Sequence, residues 1–360
     1  MPDSHRVGLA LSVFAALAAA CRPAAALDTR RPDVAAFIAA VAARDYLDAD
    51  RLRSVLAAAQ SQPTIIAAME RPAEKTMPWY RYRPVFVNEQ RIQEGVDFWL
   101  AHRADLEASA ARTGVPARYL VAILGVETYY GRLTGKYRVL DALATLAFDY
   151  PPRAAYFRGE LEQFLLLCQE QHVDPLTTTG SYAGAMGAPQ FMPSAYRRFG
   201  LDATEDGRVD LWSNWPDVFD SVGYFLKEHG WTTGAPVLRE ARTVTPRAGD
   251  PAQTDLPPGT TVAALEAQGI VILGPPTADQ AAWLIEADTP TGPAWRVGFG
   301  NFYAITRYNH SPLYAMAVHD LAAELKARVA AAESRAPAPI EAATSPTAAS
   351  RKPHPNGRGP

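Results

Sequence analysis

The chain has 360 residues, 48% of them hydrophobic, and a formal net charge of -3 spread without long runs of one sign. A chain of this length and composition buries at least one sizeable core, and its charge supplies no basic surface of the kind a nucleic acid requires. With only two cysteines, Cys21 and Cys168, a disulfide framework is excluded.

At the N-terminus, His5 and Arg6 precede an apolar run from Val7 to Ala20. The run has the length of a signal-peptide core and is too short for a permanent membrane span, so an exported, periplasmic protein is expected. Two processing points are open. One follows Ala24-Ala25-Ala26. The other precedes Cys21, where Leu17-Ala18-Ala19-Ala20-Cys21 is a degenerate lipobox that would leave an outer-membrane lipid anchor on the cysteine.

Apolar residues then recur at helical spacing over Val34 to Gln60, Val96 to Ala111, Pro116 to Thr128, Ala155 to Gln171 and Val218 to His229. Pro116 stands where a first-turn proline belongs and Gly131 follows the last periodic residues, so a short helix ends close to Glu127. Cys168 closes the apolar stretch that begins at Phe164 and reads as a small core hydrophobe. From Ala241 to Thr261 the composition turns to Pro, Gly and Thr. A helix-like piece, Val262 to Gln268, and two strand-like runs, Ala282 to Glu286 and Trp295 to Gly298, follow. Helical spacing returns from Leu313 to Val329, and beyond Ala330 the loss of large apolar residues predicts a disordered tail. The expected architecture is mainly α (α+β): a signal over 1–26, a helical region over 30–235, a small mixed α/β insert over 236–300, a helical return over 301–330 and a tail over 331–360.

Three segments hold the side chains suited to chemistry. In Val121-Ala-Ile-Leu-Gly-Val-Glu127-Thr-Tyr-Tyr-Gly131, Glu127 is the only acidic or basic residue. Desolvation and the negative end of a helix dipole both disfavour its charged form. About 2.3 kcal/mol of differential solvation would carry a carboxyl from about 4.3 to about 6, where it can act as an acid near neutral pH. A structural carboxylate paired with an arginine is the alternative. The second segment, Gly180-Ser-Tyr-Ala-Gly-Ala-Met-Gly187-Ala-Pro-Gln190-Phe-Met-Pro193-Ser-Ala-Tyr196, alternates small residues that let backbone approach a ligand with a few polar side chains. A tight structural turn would use the same residues. The third, Asn301-Phe-Tyr-Ala-Ile-Thr-Arg-Tyr308-Asn309-His310-Ser-Pro-Leu-Tyr314, offers aromatic and amide groups that suit a hydroxyl-rich, flat-faced saccharide.

In order and spacing these segments closely resemble the membrane-bound lytic murein transglycosylase B family, with its Gly-Val-Glu-Thr, Ser-Tyr-Ala-Gly-Ala-Met-Gly-x-x-Gln-Phe-Met-Pro-Ser and Tyr-Asn-x-Ser signatures. The likeness extends from about Tyr80 to Ala330 and includes Leu140-Asp-Ala-Leu-Ala-Thr-Leu-Ala-Phe and His229-Gly-Trp231. The resemblance implies a lysozyme-like helical core and a lytic transglycosylase acting as a monomer on peptidoglycan glycan strands. Glu127 would protonate the oxygen between N-acetylmuramic acid and N-acetylglucosamine. As carboxylate it would then take the proton of the C6 hydroxyl, closing a 1,6-anhydro ring without water and without a required cofactor. The resemblance also implies that Ser181 and Gln190 bond the sugar, that Phe191 forms an apolar wall and that Tyr308, Asn309 and Tyr314 complete the groove. Tyr82 would partner the glutamate. Arg153 matches the second of two arginines that some members turn to a peptide or lactyl carboxylate, with Pro152 replacing the first. A lysozyme-type hydrolase and a non-catalytic peptidoglycan-binding protein are the competing readings.

Hydrolytic glycosidases pair two carboxylates, yet none stands beside the glycine-rich segment, and Asp141 and Asp149 read as structural. One further loop approaches an EF-hand calcium pattern, with Asp202, Thr204, Asp206, the Arg208 carbonyl and Asp210 as oxygen donors and Gly207 at the sixth position. Ser213, at the twelfth, lacks the bidentate carboxylate. The alternative is a turn bonded by its own aspartates.

Overall fold

In a computed structural model, the described residues are 25–45, 47–70, 77–243, 259–275 and 278–335. The signal run, the lipobox with Cys21 and residues 336–360 lie outside them. The protein is mainly helical, with a small antiparallel sheet.

At the centre runs helix Ala117–Thr128. Every residue from Tyr119 to Val126 is buried, because Leu, Val, Ala and Ile occupy all its faces and no side is left for water. Each Leu, Val or Ile side chain contributes about 1.5–3 kcal/mol by leaving solvent. The helices Glu89–Ala101, Arg103–Thr113, Trp215–Glu228 and Pro312–Arg335 pack around it. A second buried helix, Val139–Phe148, lies against helix Ala154–Glu170. Pro116 sits one place before the first helical turn, as the cap residue, and Cys168 is buried in helix Ala154–Glu170 with its thiol pushed up to about 12.

Three sequence expectations differ from the structure. Helical spacing over Val34 to Gln60 becomes two helices, Pro32–Asp45 and Ala49–Ala57, because Asp48 caps the second by accepting the Arg51 amide at 2.6 Å. The run over Val96 to Ala111 likewise belongs to two helices that meet at His102. The tail does not begin at Ala330: the last helix continues to Arg335, its final turn held by an ion pair between Arg103 and Glu333.

Asp141 and Asp149 have structural partners, as expected. Asp141 accepts the Gln60 amide at 2.8 Å and pairs with Arg138; Asp149 pairs with Arg31 at 2.7 Å and accepts the Ser61 hydroxyl at 2.7 Å. Both therefore tie down the N-terminal arm, where Ala25–Ala26 pairs antiparallel with Gln60–Ser61.

The sheet has the order Thr260–Thr261, Ala281–Thr289, Gly292–Gly298, Leu238–Thr243, Ile270–Ile272, with every pairing antiparallel. Helix Val262–Ala267 covers a small core of its own that includes Val262, Leu265, Ile270, Val297 and Phe299. Strand Leu238–Thr243 had no clear alternation in the sequence, since Arg239, Glu240 and Arg242 interrupt it. Asn301 closes the excursion: it accepts the Thr232 amide at 2.7 Å and donates to the carbonyls of Thr232 and Ala235. The sheet also leans on the helical body through Asp320, which pairs with Arg296 at 2.9 Å and with Arg83 at 2.7 Å.

Candidate active site

Glu127 is half-buried at the penultimate position of its helix. The helix stops there because Tyr129, Tyr130 and Gly131 all take left-handed backbone angles, with φ of 53°, 61° and 82°. Two consecutive tyrosines in that region are strained, and such strain persists only where surrounding contacts impose it. The side chain of Thr128 supplies one such contact: its hydroxyl donates to Ala188 O at 2.7 Å and accepts the Gly131 amide at 3.0 Å.

The glycine-rich segment folds into a tight double loop. Ser181 N donates to Ala185 O at 2.8 Å, and Met186 and Phe191 exchange backbone bonds of 2.8 and 3.0 Å. Gly187 needs its φ of 68°, and a Cβ there would stand 2.4 Å from Leu211 O. Ser181 Oγ accepts the amides of Ala183 and Ala185 at 3.3 and 3.0 Å, which leaves its hydroxyl proton available as a donor.

The third segment closes the triangle. Tyr314 donates its hydroxyl to Glu127 Oε1 at 2.6 Å, and Tyr308 donates to Pro189 O at 2.6 Å. The two rings stack with centroids 6.4 Å apart. Burial, reinforced by the Glu127 charge, raises both phenols well above the ordinary tyrosine range, so both stay protonated donors. Tyr82, buried in helix Trp79–Phe86, adds to this effect on Tyr314. Glu127, the glycine-rich loop and the Tyr308–Tyr314 segment are therefore joined pairwise by the Thr128–Ala188, Tyr308–Pro189 and Tyr314–Glu127 bonds.

A family model described as the transglycosylase SLT domain matches residues 29–323 of this chain.

The chain belongs to the SLT transglycosylase family.

Its relatives include the membrane-bound lytic murein transglycosylase B of Escherichia coli, 39% identical over 299 residues that cover 81% of each chain. The E. coli lytic transglycosylase Slt35, solved in complex with calcium, superposes with a TM-score of 0.78 at 37% identity over 85% of this chain and 97% of that one. SltB3 of Pseudomonas aeruginosa, solved with NAG-anhNAM-pentapeptide, gives a TM-score of 0.71 at 30% identity over 81% of this chain and 78% of that one. The fold of this SLT transglycosylase is thus the lysozyme-like one expected.

Several candidate residues of the SLT transglycosylase sit differently from expectation. Phe191 is 2% exposed and packs against Tyr308 and Phe225, at 5.7 and 5.6 Å, so it is not an exposed wall. Its bridge to Met186 turns it inward. Gln190, at φ 52°, spends its amide nitrogen on Thr134 O and Gly187 O at 3.0 and 2.9 Å, so only its carbonyl oxygen is left for a ligand. Asn309 accepts the Ser311 amide at 3.1 Å, shaping the turn before the last helix. Arg153 is exposed and lies over Tyr156 and Phe157 at 4.6 and 5.0 Å, a local stack on the first turn of the helix that follows it. His310 is exposed.

The candidate calcium loop is bonded within itself. Asp202 accepts the amides of Asp206 and Gly207 at 3.2 and 2.8 Å, Asp206 accepts Arg208 N at 3.0 Å, and Asp210 accepts Trp212 N and Ser213 N at 2.8 and 3.0 Å. Thr204 Oγ1 accepts the Asn214 side-chain amide at 2.9 Å, and Asp217 of the next helix accepts Ala203 N and Asp210 N at 2.8 and 2.9 Å. Among the described residues no group of three or more His, Cys, Asp or Glu side chains converges, and Ser213 stands where a bidentate carboxylate would complete calcium coordination.

Proposed function

We propose that this lytic transglycosylase cleaves the β-1,4 bond between N-acetylmuramic acid and N-acetylglucosamine in peptidoglycan, leaving 1,6-anhydromuramyl ends. The observation that carries the reading is the Tyr314 hydroxyl bonded to Glu127 Oε1 at 2.6 Å, on a half-buried acid held at a strained helix end. With Oε1 engaged, Oε2 carries the transferable proton. That proton passes to the glycosidic oxygen as the C1–O bond breaks, and the positive charge develops on the muramyl C1 and ring oxygen. The C6 hydroxyl then attacks C1 and returns its proton to the Glu127 carboxylate, so the acid is regenerated and no water is consumed. Tyr314 donates to the carboxylate while it exists, a charge-assisted bond stronger than the one to the neutral acid.

Ser181, through its hydroxyl, and Gln190, through its carbonyl, would bond the sugars beside the cleavage point, with Tyr308 and Asn309 lining the groove. Phe191 and Tyr82 would support those rings. Arg153 stands as the candidate for a substrate carboxylate at the edge. A single acid suffices for this reaction. That Asp141 and Asp149 are committed to the N-terminal arm supports it over a two-carboxylate hydrolysis. That SltB3 is solved in complex with NAG-anhNAM-pentapeptide, an anhydro-muramyl compound, also supports it.

Export to the periplasm is part of the proposal, with lipid attachment at Cys21 as the processing route. Cleavage after Ala26 would remove the strand that pairs with Gln60–Ser61, whereas cleavage before Cys21 keeps it. Mass spectrometry of products from purified peptidoglycan tests the function: anhydro-muropeptides are expected, reducing-end products would mean a hydrolase, and no products would leave a binding protein. The intact mass of the membrane-extracted chain, with and without Cys21→Ala, tests the anchor.

A further inference from the structure

The last carbonyls of an α-helix must find donors outside it. At the end of helix Ala117–Thr128, Leu124 O takes the amides of Tyr129 and Tyr130, and Thr128 O takes Leu133 N at 2.9 Å. Gly125 O meets a side chain instead: the guanidinium of Arg91, from helix Glu89–Ala101, donates to it. The same guanidinium lies over the ring of Tyr129 at 4.2 Å and that of Phe86 at 5.5 Å. In return the Tyr130 hydroxyl donates to Arg91 O at 2.8 Å. Arg91 thus grips the chain two residues before Glu127 and two and three residues after it.

Glycines allow this grip. A Cβ on Gly95 would stand 2.3 Å from the Tyr130 hydroxyl, and one on Gly125 would stand 2.7 Å from the Tyr130 ring. The ring is wedged between two helices that lack side chains where it sits.

The arrangement is costly. Arg91 is half-buried, desolvation holds its guanidinium below the usual range, and its Nε is buried with no hydrogen-bond acceptor among the described residues. Glu94, whose charge reaches it, is paired with Arg132. An apolar side chain would fill this space without placing a cation out of water.

We propose that Arg91 is a positioning residue: with Tyr130 it latches the end of the Glu127 helix and its strained turn, and so holds the carboxyl in register with Tyr314. The proposal rests on Glu127 being the acid. It acts through the backbone on both sides of Glu127, and therefore on turnover more than on binding.

The test compares full-length wild type with Arg91→Met, Arg91→Lys and Tyr130→Phe, in two readouts. With solubilised glycan strands, Arg91→Met is expected to lower kcat about 10- to 100-fold with KM within about twofold, the loss that misplacement on the order of 1 Å brings. Arg91→Lys should fall between, since an ammonium reaches Gly125 O but cannot lie flat on Tyr129. Tyr130→Phe, which removes one hydroxyl and keeps the ring, should show the same pattern more weakly. In the second readout, hydrogen exchange followed by mass spectrometry, amides of residues 128–131 should exchange about tenfold faster in Arg91→Met while the remaining helices are unchanged. Unchanged kcat per folded molecule, or a KM that rises as far as kcat falls, overturns the latch. If wild type makes no anhydro products, the proposed function fails separately, and the exchange readout alone decides: unchanged exchange overturns the latch, and local acceleration supports it. Should Arg91→Met not fold, Arg91→Lys and Tyr130→Phe carry the same comparison.

Discussion

The hydroxyl of Tyr314 and Oε1 of Glu127 lie 2.6 Å apart although 187 positions separate them in the chain. Because burial keeps Tyr314 protonated, its hydroxyl is a fixed donor whose bond strengthens when Glu127 has given up its proton. Tyr314→Phe should therefore lower kcat about 10- to 100-fold, corresponding to the roughly 1.5–3 kcal/mol of a hydrogen bond to a charged group, with little change in KM. Steady-state kinetics on glycan strands check this. An unchanged kcat would remove Tyr314 from the reaction.

Glu127→Gln keeps the shape of the side chain and removes the transferable proton. Product formation should fall by on the order of 10²–10⁴-fold, while the thermal midpoint and retention on insoluble peptidoglycan stay near wild type. Quantifying anhydro ends against time for both proteins decides it. A variant at wild-type rate would mean that another group supplies the acid.

His319 gives the fold a pH dependence on the acid side. Burial lowers its pKa from 6.5 to about 4, with Arg296 and Arg118 acting in the same direction and Asp320 opposing. Below pH 6.5 the unfolded chain takes up a proton that native His319 refuses until about pH 4. Stability present above pH 6.5 is therefore lost across that window, by on the order of 2–3 kcal/mol. His319→Gln, which keeps a polar partner for the Tyr119 hydroxyl now 3.0 Å away, should flatten this part of the profile. Denaturant titrations at pH 7, 5.5 and 4.5 would show it, and parallel losses in both proteins would sink the assignment.

Two glycines should respond in opposite senses to alanine. At Gly135, φ is 101° and an added Cβ would stand 2.0 Å from Gly180 O, a backbone atom that cannot swing aside. Gly135→Ala should cost about 2–4 kcal/mol and impair the adjoining Ser181 loop. At Gly159, inside helix Ala154–Glu170, an added Cβ meets nothing within 4 Å, so Gly159→Ala should stabilise by about 0.5–1 kcal/mol. Thermal melts of the two variants would contradict this account if their midpoints moved the same way.

By itself the sequence determined what depends on near neighbours along the chain. Apolar spacing placed both ends of helices Ala117–Thr128 and Ala154–Glu170, and the start of Pro312–Arg335, to within about one residue, because a helix face is set by residues three and four apart. It also isolated Glu127 as a lone acid in an apolar helix and marked the glycine-rich and Tyr-Asn segments as its companions. Only the tertiary structure decided which side chains meet. Phe191 turned inward, Gln190 spent its nitrogen on Thr134 and Gly187, and Arg91 reached Gly125, a residue 34 positions away, with no motif to announce it. The left-handed angles at Tyr129 and Tyr130 escaped for the same reason. Tyrosine avoids that conformation locally, and only the Tyr130 seat between Gly95 and Gly125, the Arg91 stack and the Thr128 bonds offset the strain. Those forces come from packing between segments remote in sequence, and local spacing carries no record of them.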